Sequence, residues 1–132
     1  PKTMQKNPVY DDLIKDIKHF LYQQSTIAKK AGIKNNHIIL DPGIGFGKTF
    51  DHNFTLLRRL NEICSLGYPV MIGPSRKAFI GDALDLPIDD RIEGTLATVV
   101  AGIMNGANIV RVHDVKEVSR VVKITEKIIA AA

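Results

Sequence analysis

The chain has 132 residues, 45% of them hydrophobic and 24% charged, which suits a single globular domain but falls short of the about 250 residues of a complete eight-stranded α/β barrel. Its net charge of +4 favours anionic ligands, yet Lys15, Lys18, Lys29, Lys30, Lys116, Lys123 and Lys127 are spread along helical sequence without interleaved aromatics, so no nucleic-acid partner is expected. A single cysteine excludes an intrachain disulfide and no apolar run approaches the roughly 18 residues needed to span a bilayer, so a cytoplasmic protein without a membrane partner is expected.

An amphipathic helix is predicted over 10–31, with Leu13, Ile14, Ile17, Phe20, Leu21, Ile27, Ala28 and Ala31 at mixed three and four spacings and Gly32 placed to end it. His37 to Asp41 then reads as a strand, and Pro42 to Thr49 as a glycine-rich loop that continues neither kind of structure. A helix over about 51–65 carries Cys64 as a core residue and stops at Gly67. Val70 to Gly73 is the next strand, and Pro74-Ser75-Arg76-Lys77 leads into a short helix through Ile80. Asp82 to Asp90, with Pro87 and mixed polarity, reads as a surface excursion. A helix over about 89–105 capped by Gly106, a strand from Asn108 to Val112, and a helix over about 115–131 with Asp114 as its candidate cap complete the chain.

Three strand-then-helix units therefore follow one extra helix, with no linker to divide residues 1–132. The pattern reads as the second half of something larger. The opening Pro1-Lys2-Thr3-Met4-Gln5, without an initiator methionine or a secretion signal, agrees with a fragment.

Each apolar run ends in chemistry-bearing residues, as strands do where an α/β barrel builds its active site. Asp41 ends the first, where it serves either as a bidentate acceptor for a ligand with two adjacent N–H donors or as a cap for the loop's own amides. The glycines of Gly43-Ile44-Gly45-Phe46-Gly47-Lys48-Thr49 invite a nucleotide reading. A P-loop wants glycine where Pro42 stands, however, and the dinucleotide fingerprint wants glycine where Lys48 stands. Close backbone approach to a flat ligand, or a mobile loop, explains them better. Ser75-Arg76-Lys77 places cations between a buried strand and a helix start, where an anion or carbonyl can be met. Arg111 and His113 share the face of Ile109, opposite Val110 and Val112, and serve either a core salt bridge or a phosphorylated ligand. Neither metal-ligand spacing nor a Ser-His-Asp or Cys-His arrangement is found.

Taken together, these segments resemble the C-terminal half of the dihydropteroate synthase family. The matching stretches are Thr3-Met4-Gln5 with Pro8 and Tyr10-Asp11-Asp12, Asp41-Pro-Gly-Ile-Gly-Phe-Gly-Lys48, Asn53 with Leu56-Leu57, Gly73-Pro-Ser-Arg-Lys-Ala-Phe-Ile-Gly81, Arg91 with Gly94-Thr95, and Gly106-Ala107 followed by Arg111-Val-His-Asp114. The resemblance implies the α/β class, as a partial TIM (β/α)8 barrel comprising the last three strands with their helices plus one preceding helix. It implies condensation of 6-hydroxymethyl-7,8-dihydropterin pyrophosphate with 4-aminobenzoate to give 7,8-dihydropteroate and pyrophosphate. It places Asp41 on the pterin's amino-pyrimidinone edge, Lys77 on the ring carbonyl and ring nitrogen, and Arg111 and His113 by the pterin face and pyrophosphate. Ser75, Arg76 and the helix start at Ala78 fall near the aminobenzoate, with Gly45 and Phe46 close to the ligand. Lys77, Arg111 and His113 are thus the expected catalytic residues. Mg²⁺ is expected as a cofactor held mainly by N-terminal loops and substrate pyrophosphate, and a homodimer through the late helices. The loops that would complete the metal and aminobenzoate sites have no counterpart here, so the chain alone is expected to be inactive. The alternatives are a non-catalytic half-barrel assembly module and a pterin- or folate-binding methyltransferase; Ser75-Arg76-Lys77 with Arg111-Val-His113 favours the synthase.

Overall fold

The computed structural model describes residues 10–132; the matching residues Thr3-Met4-Gln5 and Pro8 lie outside the described part. Helix α1 (Leu13–Lys30) starts where Asp12, in extended conformation, accepts the Lys15 N–H at 3.2 Å. It ends as predicted at Gly32, whose φ of +96° lets its N–H reach the Lys29 carbonyl while Ile33 N–H reaches Ala28. Leu13, Ile14, Ile17 and Leu21 are buried, each contributing roughly 1.5–3 kcal/mol. Phe20 and Ile27, expected on the same stripe, are instead 58% and 59% exposed: they lie at the edge of a face narrower than the spacing suggested.

The first predicted strand is reduced to a single parallel bridge, Leu40 to Val70. His37 belongs to a 3-10 turn (Asn35–His37), because its N–H is taken by the Lys34 carbonyl. The helix expected over 51–65 divides at Arg59 into α2 (Phe50–Arg58) and α3 (Leu60–Cys64). Thr49 and His52 form a reciprocal capping box at the start of α2. Strand β1 (Met71–Ile72) leads through residues 73–77 into α4 (Ala78–Leu84), which runs beyond Ile80 and stops at Asp85 with φ +54°. The excursion is solvent-facing as expected, but 82–84 are helical. Helix α5 (Ile92–Met104), strand β2 (Ile109–Val110) and α6 (Val115–Ala130) follow. Gly106, at φ +106°, closes α5 as predicted.

β1 and β2 are parallel, with Met71 opposite Ile109 and Ile72 opposite Val110. Val70 and Ile72 are fully buried in the core with Leu40, Leu56, Leu60, Ile63 and the apolar face of α1. Their neighbours on the other face are open: Ile39 is 54% and Ile109 36% exposed. The sheet therefore has one covered face, and the alternation of strand side chains sends the other row outward. No helix of the described residues is long and apolar enough to cross a membrane.

Candidate functional site

The C-terminal ends of the three parallel segments bring the predicted residues to one rim. Asp41 follows directly on Leu40 and is exposed, so its charge carries no burial cost. Its Oδ1 accepts the Gly43 N–H at 2.9 Å, which makes the loop-capping role real for one oxygen; Oδ2 accepts no hydrogen bond among the described residues. A carboxylate held by one oxygen still presents the other to a ligand.

The glycine-rich loop is a pinned structure. Gly43, Gly45 and Gly47 all have positive φ, and the loop wraps around the ammonium of Lys48, which donates to the carbonyls of Gly43 at 2.8 Å and Phe46 at 2.9 Å. Lys48 is 8% exposed, and burial, with the Lys77 charge nearby, lowers its pKa to about 8 against the opposing pull of Asp41. Buried Asn53 of α2 accepts the Gly45 N–H at 2.7 Å and donates to the Thr49 carbonyl, while the Tyr10 hydroxyl donates to the Gly47 carbonyl at 2.7 Å.

Lys77 reaches into this loop, donating to the Ile44 carbonyl and lying over the Phe46 ring. Burial lowers its pKa, Asp41 raises it, and Arg111 lowers it again. A Cβ at Gly45 would meet the stem of Lys77 and displace the lysine, and the φ of +81° itself favours glycine.

Arg76 adopts a left-handed φ of +57° and is held on every side. Its N–H reaches Thr95 Oγ1, its carbonyl accepts from Arg91, and its guanidinium pairs with both oxygens of Asp114 at 3.1 and 2.7 Å. That pair holds the Asp114 carboxyl below its usual range. Asp114 sits at the N-cap position of α6 as expected, but its side chain makes no capping hydrogen bond because it is committed to Arg76. Arg111 and His113 are exposed while Val110 and Val112 are less so, which reproduces the predicted alternation. The Arg111 guanidinium lies against Gly73, where a Cβ would meet it at 3.2 Å. Ser75, 7% exposed, lies 2.8 Å from Nδ1 of His113.

Two cavities of about 290 Å³ flank Lys77. One is lined by Gly73, Ser75, Lys77, Arg111, Val112 and His113. The other is lined by Gly45, Phe46, Lys48, Phe50, Asn53, Lys77, Ala78 and Phe79. The first can take an anion beside a polar ring, and the second, with three phenylalanines, a flat aryl group. Among the described residues no group of three or more His, Cys, Asp or Glu side chains could hold a metal ion.

Sequence reasoning missed the scaffold. Lys48, Asn53, Arg91 and Thr95 matched a family pattern but had no assigned role; each holds backbone of the loop or of Arg76. A lysine and an asparagine flanking a glycine-rich loop were the available signal. Cys64 is half-buried as part of the core, its thiol 3.7 Å from the Asn105 carbonyl and pushed up in pKa by burial.

A family model described as "Pterin binding enzyme" matches residues 1–113. A protein of Clostridium beijerinckii named dihydropteroate synthase is 52% identical over 124 residues, 93% of this chain and 46% of that relative. The structure of Yersinia pestis dihydropteroate synthase in a sulfonamide drug complex superposes with a TM-score of 0.96 at 42% identity, covering 98% of this chain and 47% of the other. The Thermus thermophilus dihydropteroate synthase in complex with 6HMPPP gives 0.92 at 38% identity, covering 98% and 51%. This chain thus spans about half the length of the relatives it matches.

Proposed function

Because the chain belongs to the pterin-binding enzyme family, we propose that it is the C-terminal portion of a dihydropteroate synthase, namely the last three strands of a (β/α)8 barrel, their helices and the helix before them. The uncovered sheet face, which a barrel would turn inward, supports that architecture. The observation that carries the functional reading is that Lys77 links the two halves of the rim: its charge senses Asp41 on one side and Arg111 on the other, and it lines one cavity with Arg111 and His113.

In this reading Asp41 accepts from the amino-pyrimidinone edge of the pterin, and Lys77 donates to the ring carbonyl and ring nitrogen. Arg111 and His113 face the pyrophosphate. The bond between the pterin methylene carbon and the pyrophosphate oxygen breaks, and their positive and donor groups neutralise the charge that grows on the leaving group. The amine nitrogen of 4-aminobenzoate forms the new bond to that carbon and loses one proton, so no protein nucleophile is needed. The aryl ring fits the cavity of Phe46, Phe50 and Phe79, with Ser75 and Arg76 shaping the turn beside it.

The described residues offer no group of three or more His, Cys, Asp or Glu side chains for magnesium, so in this reading the ion would be held by the pyrophosphate and by residues outside them. A homodimer belongs to the same reading, supported by apolar side chains left open on α6, such as Ile124 at 60% and Ile128 at 61% exposed. The 132 residues hold part of the site and are inactive alone in this reading. Pyrophosphate release is the test: the complete protein should liberate it when given dihydropterin pyrophosphate and 4-aminobenzoate together, and the chain alone should not. A folded complete protein that fails to join the two substrates would overturn the proposal.

A further inference from the structure

We infer that Ser75 is a positioning residue that fixes which ring nitrogen of His113 carries the proton. Two contacts define the pair: Ser75 Oγ lies 2.8 Å from His113 Nδ1 and also accepts the backbone N–H of His113 at 3.1 Å. These residues stand 38 apart in sequence, on the turn after β1 and the segment after β2.

The hydroxyl has one proton to donate. With its oxygen already accepting a backbone N–H, and with no other hydrogen bond from Oγ among the described residues, Nδ1 is the one acceptor in reach. If Nδ1 carried the ring proton instead, Oγ would accept twice and the hydroxyl proton of a side chain 7% exposed would be left without a partner. The cost of such an orphaned donor favours the first arrangement by about tenfold or more. Nδ1 is therefore the acceptor, and Nε2 carries the proton of the neutral ring.

The consequence is a fixed donor. Nε2 makes no hydrogen bond among the described residues, and His113 lines the same cavity as Arg111 and Lys77. The ring N–H then joins Arg111 and Lys77 in lining one small volume. That the acceptor they meet is the leaving pyrophosphate rests on the function proposed above; the tautomer does not. Ser75 touches His113 rather than a reacting atom, so it acts through the imidazole.

The experiment is long-range ¹H–¹⁵N correlation of the histidine rings in the ligand-free protein, at a pH where they are neutral. The His113 signal among the four histidines is assigned with His113→Asn. The wild type should show one tautomer, protonated at Nε2. Ser75→Ala, with backbone amide signals unchanged away from the two turns, should show a mixture, and Ser75→Thr should restore the single form. A wild-type ring protonated at Nδ1, or a mixture in the wild type, would overturn the inference without recourse to any variant. So would a Ser75→Ala spectrum identical to the wild type. Inorganic pyrophosphate serves as the ligand probe, with an expected three- to tenfold weakening in Ser75→Ala. A fixed tautomer in a chain that binds no pyrophosphate would uphold the role of Ser75 and overturn instead the reading that Lys77, Arg111 and His113 by themselves hold the pyrophosphate.

Discussion

The ammonium of Lys77 stands 4.4 Å from the centroid of the Phe46 ring. This cation–π contact ties the turn after β1 to the glycine-rich loop, so the loop sets where the cation sits. Asp41, at the start of that loop, raises the Lys77 pKa against burial, so the cation is tied to two positions of the loop. Substitutions in the loop should therefore be felt at Lys77.

Gly45→Ala tests that coupling. The added methyl would lie 2.5 Å from Lys77 Cδ, at a φ of +81° that costs a non-glycine residue roughly 1–2 kcal/mol. The expected result is a folded protein, by circular dichroism, whose affinity for a dihydropterin pyrophosphate falls by about tenfold or more. Unchanged affinity would show that the loop does not place Lys77.

Lys48→Met removes the ammonium at the centre of the loop. The two hydrogen bonds it makes to carbonyls are each worth about 1.5–3 kcal/mol for a charged donor. Amide exchange at residues 43–47 should accelerate by about tenfold or more. A pH signature accompanies it. The folded pKa of about 8 lies below the ordinary lysine value of 10.5, so between these values the unfolded chain binds more protons at this position. The contribution of Lys48 to stability is thus least favourable below pH 8 and rises with pH through that window. Thermal melts of wild type and Lys48→Met across it should show the rise in the former and its loss in the latter.

Arg76→Met frees the carboxyl of Asp114. The hydrogen-bonded guanidinium holds that carboxyl below its ordinary value of 3.8, so the pair stabilises the fold above that pH and the benefit is lost as pH falls through the folded value. Carbon-detected titration should move Asp114 upward in the variant. The stability difference between the two proteins should shrink on acidification. A titration that does not move would place the carboxylate's partner elsewhere.

Gly102→Ala sets helix propensity against packing. Alanine gains about 0.8–1 kcal/mol inside a helix, but its methyl would overlap Ile72 Cδ1, and overpacking a core costs typically about 1–3 kcal/mol. The packing term should win, lowering the melting temperature. A rise would mean that α5 can shift away from the sheet.

What was legible in the sequence followed from local chemistry. Gly32 and Gly106 ended their helices because a left-handed residue is needed there, and the order of strands and helices followed from periodicity. The observed strands are shorter than the apolar runs suggest, because an apolar run signals burial while pairing depends on neighbours: among the described residues Leu40 bridges only Val70, and β2 pairs on one side. The break at Arg59 carried no glycine or proline to mark it. The Asp41-to-Lys48 loop, Lys77, Arg111 and His113 stand out as candidates in the sequence because polar residues ending apolar strands demand partners. The pairs Arg76 with Asp114 and Ser75 with His113 span 38 residues each, and no local rule connects residues that only the sheet register brings together.

On the proposed function, Asp41 is the pterin acceptor at this rim. Calorimetric titration of the folded protein with a dihydropterin pyrophosphate, wild type against Asp41→Asn, tests it most directly. Asparagine keeps one acceptor oxygen for the Gly43 N–H but then presents an NH₂ donor where Asp41 presents Oδ2 to the pterin's N–H donors. Binding by the wild type and a loss of about tenfold or more in the variant are expected. Equal affinity in the two proteins would contradict it.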